Sequence, residues 1–441
     1  MLYATIVSLL VCVLAAWFSG LLFDVLNRKE SRSACVAGLS GITVIIIVFC
    51  MGKTVSGFLA IGLSYYSLML IGYIISVMNL ESKAIKNPVK LLLAAAFLPV
   101  LIEGPICDAN ELADKIWSRK RDIRFSESVM PAFARFSFGL FKKLVIADRI
   151  APVSSALTAT VNFEDPMYIV GILLYSVRLI ADFTGGIDMA IAVSSFFGVK
   201  IPENFRHPLH AISLSDFWSR WHITLSGWFR KYVFYPVSVE LAENDRVQKL
   251  PEGVRKRLPV YSAALLTWTL TGFWHSFSLW HLFWGLSNAL ILLISYELKP
   301  IYKEFHKRFS FSNKNAYRLF MMARTFLITA FLRWFDIMAA NRPSLKVSSP
   351  ESPVMTVPEI IVLISSIAFC FAVSFYTAAK RERYTDFYCI IKKKQTGLQL
   401  FIILLLNIVT IVFGAYGKGY DMTGFIYGNW GQAPFDRCMI F

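Results

Sequence analysis

The chain is 441 residues long and 56% hydrophobic, which excludes an ordinary soluble protein, and its apolar residues fall in blocks long enough to cross hydrocarbon. Its formal net charge of +16 sits in short clusters between those blocks rather than on a basic soluble domain, which excludes nucleic acid as a partner. Seven cysteines (Cys12, Cys35, Cys50, Cys107, Cys370, Cys389 and Cys438) lack CxxC or Cys/His spacing, which excludes a disulfide framework and a zinc site.

In chain order, the apolar blocks predict about ten transmembrane helices, over 2–26, 34–51, 55–79, 130–148, 166–184, 258–279, 281–298, 318–338, 357–377 and 397–415. No basic leader or small-residue cleavage site precedes the first block, so it reads as a span rather than a removed signal peptide, with no soluble domain at either end. The short apolar stretch 88–106 closes on Gly104-Pro105 and predicts a re-entrant hairpin. Basic clusters at Arg28-Lys29, Lys83 to Lys90, Lys115 to Arg124, Arg246 to Arg257, Lys299 to Arg318 and Lys380 to Lys394 all thread to one side of these spans. The positive-inside rule makes that side cytoplasmic and puts Met1 outside. With no repeat or linker, 1–441 reads as one membrane domain: N-terminal helices 1–80, a core 81–300 and C-terminal helices 301–441.

Polar residues concentrate in the middle of the chain. Arg178, Asp182, Thr184 and Asp188 surround Gly185-Gly186 in an apolar setting, which predicts a broken helix with Arg178 and Asp182 neutralising one another at i, i+4. Either a structural ion pair or direct ligand contact accounts for such charges. Ser213 with Asp216 forms a capping-box-like start, and helical periodicity runs on to Tyr235. Phe217, Trp221, Leu225, Trp228, Tyr232 and Tyr235 form one stripe, with Asp216, Arg220, Arg230 and Lys231 opposite, as on an interfacial helix. His222 falls on the aromatic side and serves either structural bonding or positioning of a substrate.

The sharpest signal is His275, in Phe273-Trp274-His275-Ser276 between two long apolar blocks. An ionisable ring at bilayer depth costs several kcal/mol unless it faces a partner or a polar cavity, so a functional group competes there with a histidine that merely bonds two helices. His281, six residues on, faces a different direction on one helix, which argues against a shared metal. His207, His210, His281 and His306 read as interfacial or loop residues.

Pro202-Glu203-Asn204-Phe205, Phe217-Trp218-Ser219-Arg220-Trp221-His222 and Trp228-Phe229-Arg230 follow one another as in the membrane-bound O-acyltransferases, which the chain resembles. Gly62-Leu63-Ser64-Tyr65-Tyr66, Gly104-Pro105-Ile106, Gly139-Leu140-Phe141-Lys142-Lys143-Leu144-Val145-Ile146-Ala147-Asp148 and Asp182-Phe183-Thr184-Gly185-Gly186-Ile187-Asp188 resemble the bacterial branch typified by alginate O-acetyltransferase, and Phe425-Ile426-Tyr427 does so faintly. Ser276 stands where the family has glycine, Arg178 and Gly186 where it has glutamine and tyrosine, and the N-terminus is about two helices shorter than in a typical member.

The resemblance implies an all-α polytopic fold with re-entrant and interfacial helices around a central funnel. It makes His275 the central histidine and His222 the second, with Asp182, Asp188, Arg178, Trp221, Trp274, Asn204 and Arg230 as substrate-binding or structural candidates. A neutral imidazole at His275 takes the acceptor hydroxyl proton and returns it to the departing thiolate. No nucleophile-elbow motif supports a covalent serine. The implied donor is acetyl-CoA, with no bound cofactor and no metal. The implied acceptor is an exported or cell-wall polysaccharide, reached directly or through an extracytoplasmic acyltransferase or esterase-like partner, from a bacterial cytoplasmic membrane whose lipid surrounds the chain. The rivals are D-alanyl transfer to teichoic acid and, from another class, a transporter or flippase, which broken helices with paired charges also suit.

Overall fold

The computed structural model describes residues 2–29, 31, 33–55, 60–118, 129–159, 165–340 and 355–416. The tail from Gly417, with Cys438 and the Phe425-Ile426-Tyr427 resemblance, and part of the 115–124 basic cluster lie outside the described residues. Every regular element among the described residues is helical. They gather into two compact units, Met1–Leu140 with Gly185–Glu203, and Phe141–Thr184 with the chain from Asn204 onward.

In the first unit, α1 (Leu2–Asn27), α2 (Ser33–Thr54) and α3 (Leu63–Met78) each pack on the other two. Small residues let their backbones approach, as membrane helices require in the absence of a hydrophobic drive between them: Ser8, Ser19, Gly20 and Gly41 are buried, and the Ser8 hydroxyl meets that of Tyr66 at 2.8 Å. Large apolar side chains such as Leu14, Phe18, Val36 and Ile47 are exposed on the outer faces, as on a lipid-facing surface. The stretch predicted as a hairpin is two short helices, α4 (Pro88–Ala95) and α5 (Leu98–Leu101), followed by α6 (Ala109–Trp117). From α7 (Met130–Phe141), Arg135 forks onto Glu203 with two bonds of 2.6 Å and reaches Asp188 at 2.8 Å, so one guanidinium satisfies two carboxylates.

The second unit opens with a π-helical turn, Lys142–Ala147, leading into α8 (Asp148–Thr158). Next comes α9 (Pro166–Phe196), 31 residues without interruption, which runs on from this unit into the first beyond Thr184. The break predicted at Gly185-Gly186 is therefore absent. Those glycines serve close packing instead: a Cβ on Gly139 would lie 2.7 Å from the Gly185 carbonyl oxygen, and one on Gly186 would lie 2.9 Å from a Glu103 carboxylate oxygen. Asp182 forms an ion pair with Lys143 of the π turn, at 2.9 Å, and Lys143 meets Asp148 at 3.0 Å as well, while the Asp182 charge also acts on Arg178.

The single helix predicted from Ser213 to Tyr235 is divided. Short α10 (Leu214–Trp218) ends at a turn through Ser219–His222, and α11 (Ile223–Phe229), a π turn and α12 (Tyr235–Glu243) follow. The start is as predicted, the Ser213 hydroxyl accepting the Asp216 N–H at 3.1 Å. The remaining helices are α13 (Asp245–Gln248), α14 (Glu252–His275), α15 (Leu279–Glu297), α16 (Lys299–Arg308), α17 (Asn315–Leu332), α18 (Trp334–Ala340), α19 (Val357–Ala379), α20 (Tyr388–Ile391) and α21 (Thr396–Phe413). Helix α15 packs against both α14 and α18.

Among the described residues six helices, α1, α2, α9, α15, α19 and α21, are long and apolar enough to cross a membrane by themselves, where ten spans were predicted. The other four blocks are helical but differ in kind. Helix α3 has only 16 residues, α7 is cut short by the π turn, α14 begins with Glu252, Arg255, Lys256 and Arg257, and α17 carries Arg318 and Arg324. The chain is an all-α polytopic membrane protein.

Candidate active site

The site of the second unit is built where three sequence motifs meet. Asn204 is wholly buried, and its carboxamide oxygen accepts the Thr224 N–H at 3.1 Å and the Thr224 hydroxyl at 2.9 Å, while its main-chain oxygen accepts the Ile223 N–H at 2.9 Å. These bonds pin the turn at His222, whose φ of 45° is a left-handed conformation that costs a branched-Cα residue about 1–2 kcal/mol. The turn therefore depends on Asn204, 18 residues upstream.

The same carboxamide decides the His222 tautomer. A backbone N–H only donates, so the Asn204 atom facing Thr224 is the oxygen, and His222 Nδ1, 3.1 Å from that oxygen, carries the hydrogen. Nε2 then keeps a lone pair. Burial pushes the imidazole down to about 3, so the ring is neutral at any physiological pH.

Around His222 the aromatic rings come from all three motifs. Phe183 of α9 meets His222 edge-on at 5.0 Å and Phe205 at 5.0 Å, and Trp221 packs on Phe205 at 4.8 Å. On another side of His222 lies Trp274, 6.1 Å away, and Trp274 in turn meets His275 at 4.9 Å. Trp274 is thus the shared neighbour of both predicted histidines.

His275 closes α14, and a three-residue link, Ser276–Ser278, turns the chain into α15. The two helices meet at their glycines: a Cβ on Gly272 would sit 2.4 Å from the His281 carbonyl oxygen, and one on Gly285 would sit 2.3 Å from that of Trp268. Close approach folds His281 back over His275, so the two are not on one helix as predicted. Their rings stack at 6.0 Å with 23° between planes, and Trp284 stands edge-on to His275 at 4.9 Å.

His281 is likewise not the interfacial or loop residue predicted. It is 4% exposed, with Nδ1 3.1 Å from the Ser278 hydroxyl and Nε2 3.7 Å from Asp336 Oδ1. Arg333 holds Asp336 Oδ2 at 3.1 Å and lies over the Trp221 ring at 5.8 Å. His281, Arg333 and Asp336 are the residues that sequence reasoning missed. Two signals were available: Ser278 three residues before His281 is an N-cap pattern that starts a new helix, and Arg333 with Asp336 at i, i+3 interrupts an apolar block.

The other predicted residues fall elsewhere. Asp188 is buried against Arg135 in the first unit, Asp182 answers Lys143 in the second, and Arg178 is 2% exposed on α9. Arg230 is exposed at the end of α11. His306 is exposed on α16, whereas His207 and His210 are buried, both bonded to the Ser374 hydroxyl of α19, at 3.2 and 3.1 Å.

Residues 73–334, well over half of the chain and including every residue of the site except Asp336, match the family described as MBOAT, membrane-bound O-acyltransferase. The chain belongs to this family. Among curated proteins, the membrane-bound O-acyltransferase core is 34% identical over 238 residues to the probable alginate O-acetylase of Pseudomonas fluorescens, covering 54% of this chain and 44% of that one. It is 33% identical over 220 residues to the peptidoglycan O-acetyltransferase of Helicobacter pylori, covering 48% and 38%. Against the teichoic acid D-alanyltransferase of Bacillus subtilis the identity is 27% over 211 residues, covering 46% and 50%. Each alignment spans half or less of the relative's length.

Proposed function

We propose that this membrane-bound O-acyltransferase moves an acetyl group from a cytoplasmic thioester donor, acetyl-CoA, to a hydroxyl of an exported or cell-wall polysaccharide, directly or through an extracytoplasmic partner. The observation that carries the reading is the junction of the two family histidines on Trp274, beside the buried Asn204. In this reading His275 takes the proton from the acceptor hydroxyl as that oxygen attacks the thioester carbonyl. The tetrahedral intermediate then collapses, the carbon–sulfur bond breaks, and His275 returns the proton to the thiolate, leaving an acetyl ester and free thiol. A positioned base contributes about 10² to 10⁴ in rate. His222 assists through Nε2 as a neutral acceptor, and the aromatic wall keeps competing water out.

The basic clusters at Arg246 to Arg257 and Lys380 to Lys394 would face the cytoplasm, with Met1 outside, in a bacterial cytoplasmic membrane. The higher identity to the two O-acetyl-transfer relatives favours acetyl over D-alanyl transfer. Transport loses its main support, because α9 is continuous where a broken helix was predicted.

The test uses inverted membrane vesicles from an expressing bacterium, supplied with radiolabelled acetyl-CoA, with label counted in base-labile ester on precipitated polysaccharide. Wild-type protein transfers label and His275→Ala stops it while remaining monodisperse in detergent. Equal transfer by that variant overturns the base assignment, and labelling only from a D-alanyl carrier-protein thioester overturns the acetyl donor.

A further inference from the structure

Resting on the reading of His275 as the base, we infer that Asp336 and His281 form a positioning pair for it. Nδ1 of the His281 ring bonds the Ser278 hydroxyl at 3.1 Å, and Nε2 faces the Asp336 carboxylate at 3.7 Å, ion-pair rather than hydrogen-bond range. The ring is therefore held rather than offered to substrate, and what it presents to His275 is its flat face, at 6.0 Å and 23°. Trp284 and Trp274 meet the same imidazole nearly at right angles, 82° and 71°, each at 4.9 Å. One parallel ring and two perpendicular ones box His275 and restrict its rotation about Cβ–Cγ. Preorganisation of this kind matters because a misplacement of about 1 Å costs on the order of 10²-fold in rate.

The pair is itself braced. Asp336 is fixed by Arg333 at 3.1 Å, and Arg333 lies over Trp221, the neighbour of His222, so one chain of contacts runs from one family motif to the other. His281, Arg333 and Asp336 are all under 9% exposed. Buried charge and imidazole are costlier than apolar residues of similar volume, so packing alone does not call for them.

The experiment measures kcat and KM for acetyl-CoA in the vesicle assay for wild type, His275→Ala, His281→Phe, Asp336→Asn and the double variant. His281→Phe keeps a flat ring but loses both ties; Asp336→Asn keeps the shape and removes the charge. For each, kcat falls about tenfold or more with KM for acetyl-CoA within about twofold, because the chemistry and not donor binding is disturbed. The double variant falls no further than the worse single one, since the two act as a unit. Asp336→Glu recovers part of the lost rate. Unchanged kcat in folded Asp336→Asn or His281→Phe, or losses that multiply in the double variant, overturns the pair. If His281→Phe does not fold, Asp336→Asn and Asp336→Glu decide alone. Undiminished transfer by His275→Ala overturns the base assignment instead, so the two failures are separable.

Discussion

Asn204 shows how much of the site hangs on one carboxamide. Its removal in Asn204→Ala takes away the bonds to the Thr224 N–H and hydroxyl and releases the left-handed turn at His222, at about 0.5–1.5 kcal/mol for each hydrogen bond lost. Thermal unfolding of the detergent-solubilised protein should show that loss, with label transfer falling alongside it. His222→Asn separates the two effects. Asparagine tolerates the left-handed region, so the variant keeps the turn and loses only what the ring itself packs and bonds, while loss of the imidazole lowers transfer at least about tenfold. The histidines themselves were legible in the sequence because ionisable rings in apolar surroundings stand out. The tautomer of His222 was not, since it is decided by a residue 18 positions away whose contact exists only after folding. His281 was misread for a related reason, its partner Asp336 lying on another helix.

At the scale of elements, the α14–α15 hairpin sets the site. Gly272→Ala places a methyl group where the His281 carbonyl oxygen already sits, so the helices part. Overpacking of this kind costs about 1–3 kcal/mol, and because His275 and His281 move with their helices, activity falls more than stability does. Unfolding temperature and label transfer, measured on the same preparation, check the ordering. The loop carrying His207 and His210 is tied to the end of α19 through Ser374, and it gives a pH dependence. Burial, then the His207 charge and those of Arg220 and Arg318, pushes His210 from 6.5 down to about 4. Its contribution is thus complete above pH 6.5 and erodes as the pH falls towards 4, because the unfolded chain takes up the proton first. His210→Gln should flatten that part of the acid limb in unfolding temperature against pH. A limb identical to wild type would remove the assignment. Element positions were readable from hydropathy over most of the chain, but the breaks were not. Gly185-Gly186 looked like a hinge and is packing surface, while the Ser219–His222 turn hid inside an unbroken helical period.

For the whole molecule, the distribution of basic loops makes a prediction that is independent of the chemistry. In a background without native cysteines, Asp165→Cys on intact cells reacts with an impermeant maleimide, and Lys249→Cys reacts only once the membrane is opened; the reverse pattern would invert the orientation. Helical class and membrane character followed from composition, and hydropathy alone picked out blocks such as α3 whose helix, at 16 residues, is shorter than a usual span. Lengths add a last point. At 1.5 Å per residue, the 31 residues of α9 reach about 46 Å and the 18 of α21 about 27 Å, against roughly 30 Å of hydrocarbon. One rod overshoots the oily layer and the other barely fills it, so acyl-chain length becomes a control variable. Thicker lipids strain the short helix first, at fractions of a kcal/mol per ångström, while the long one has reach to spare.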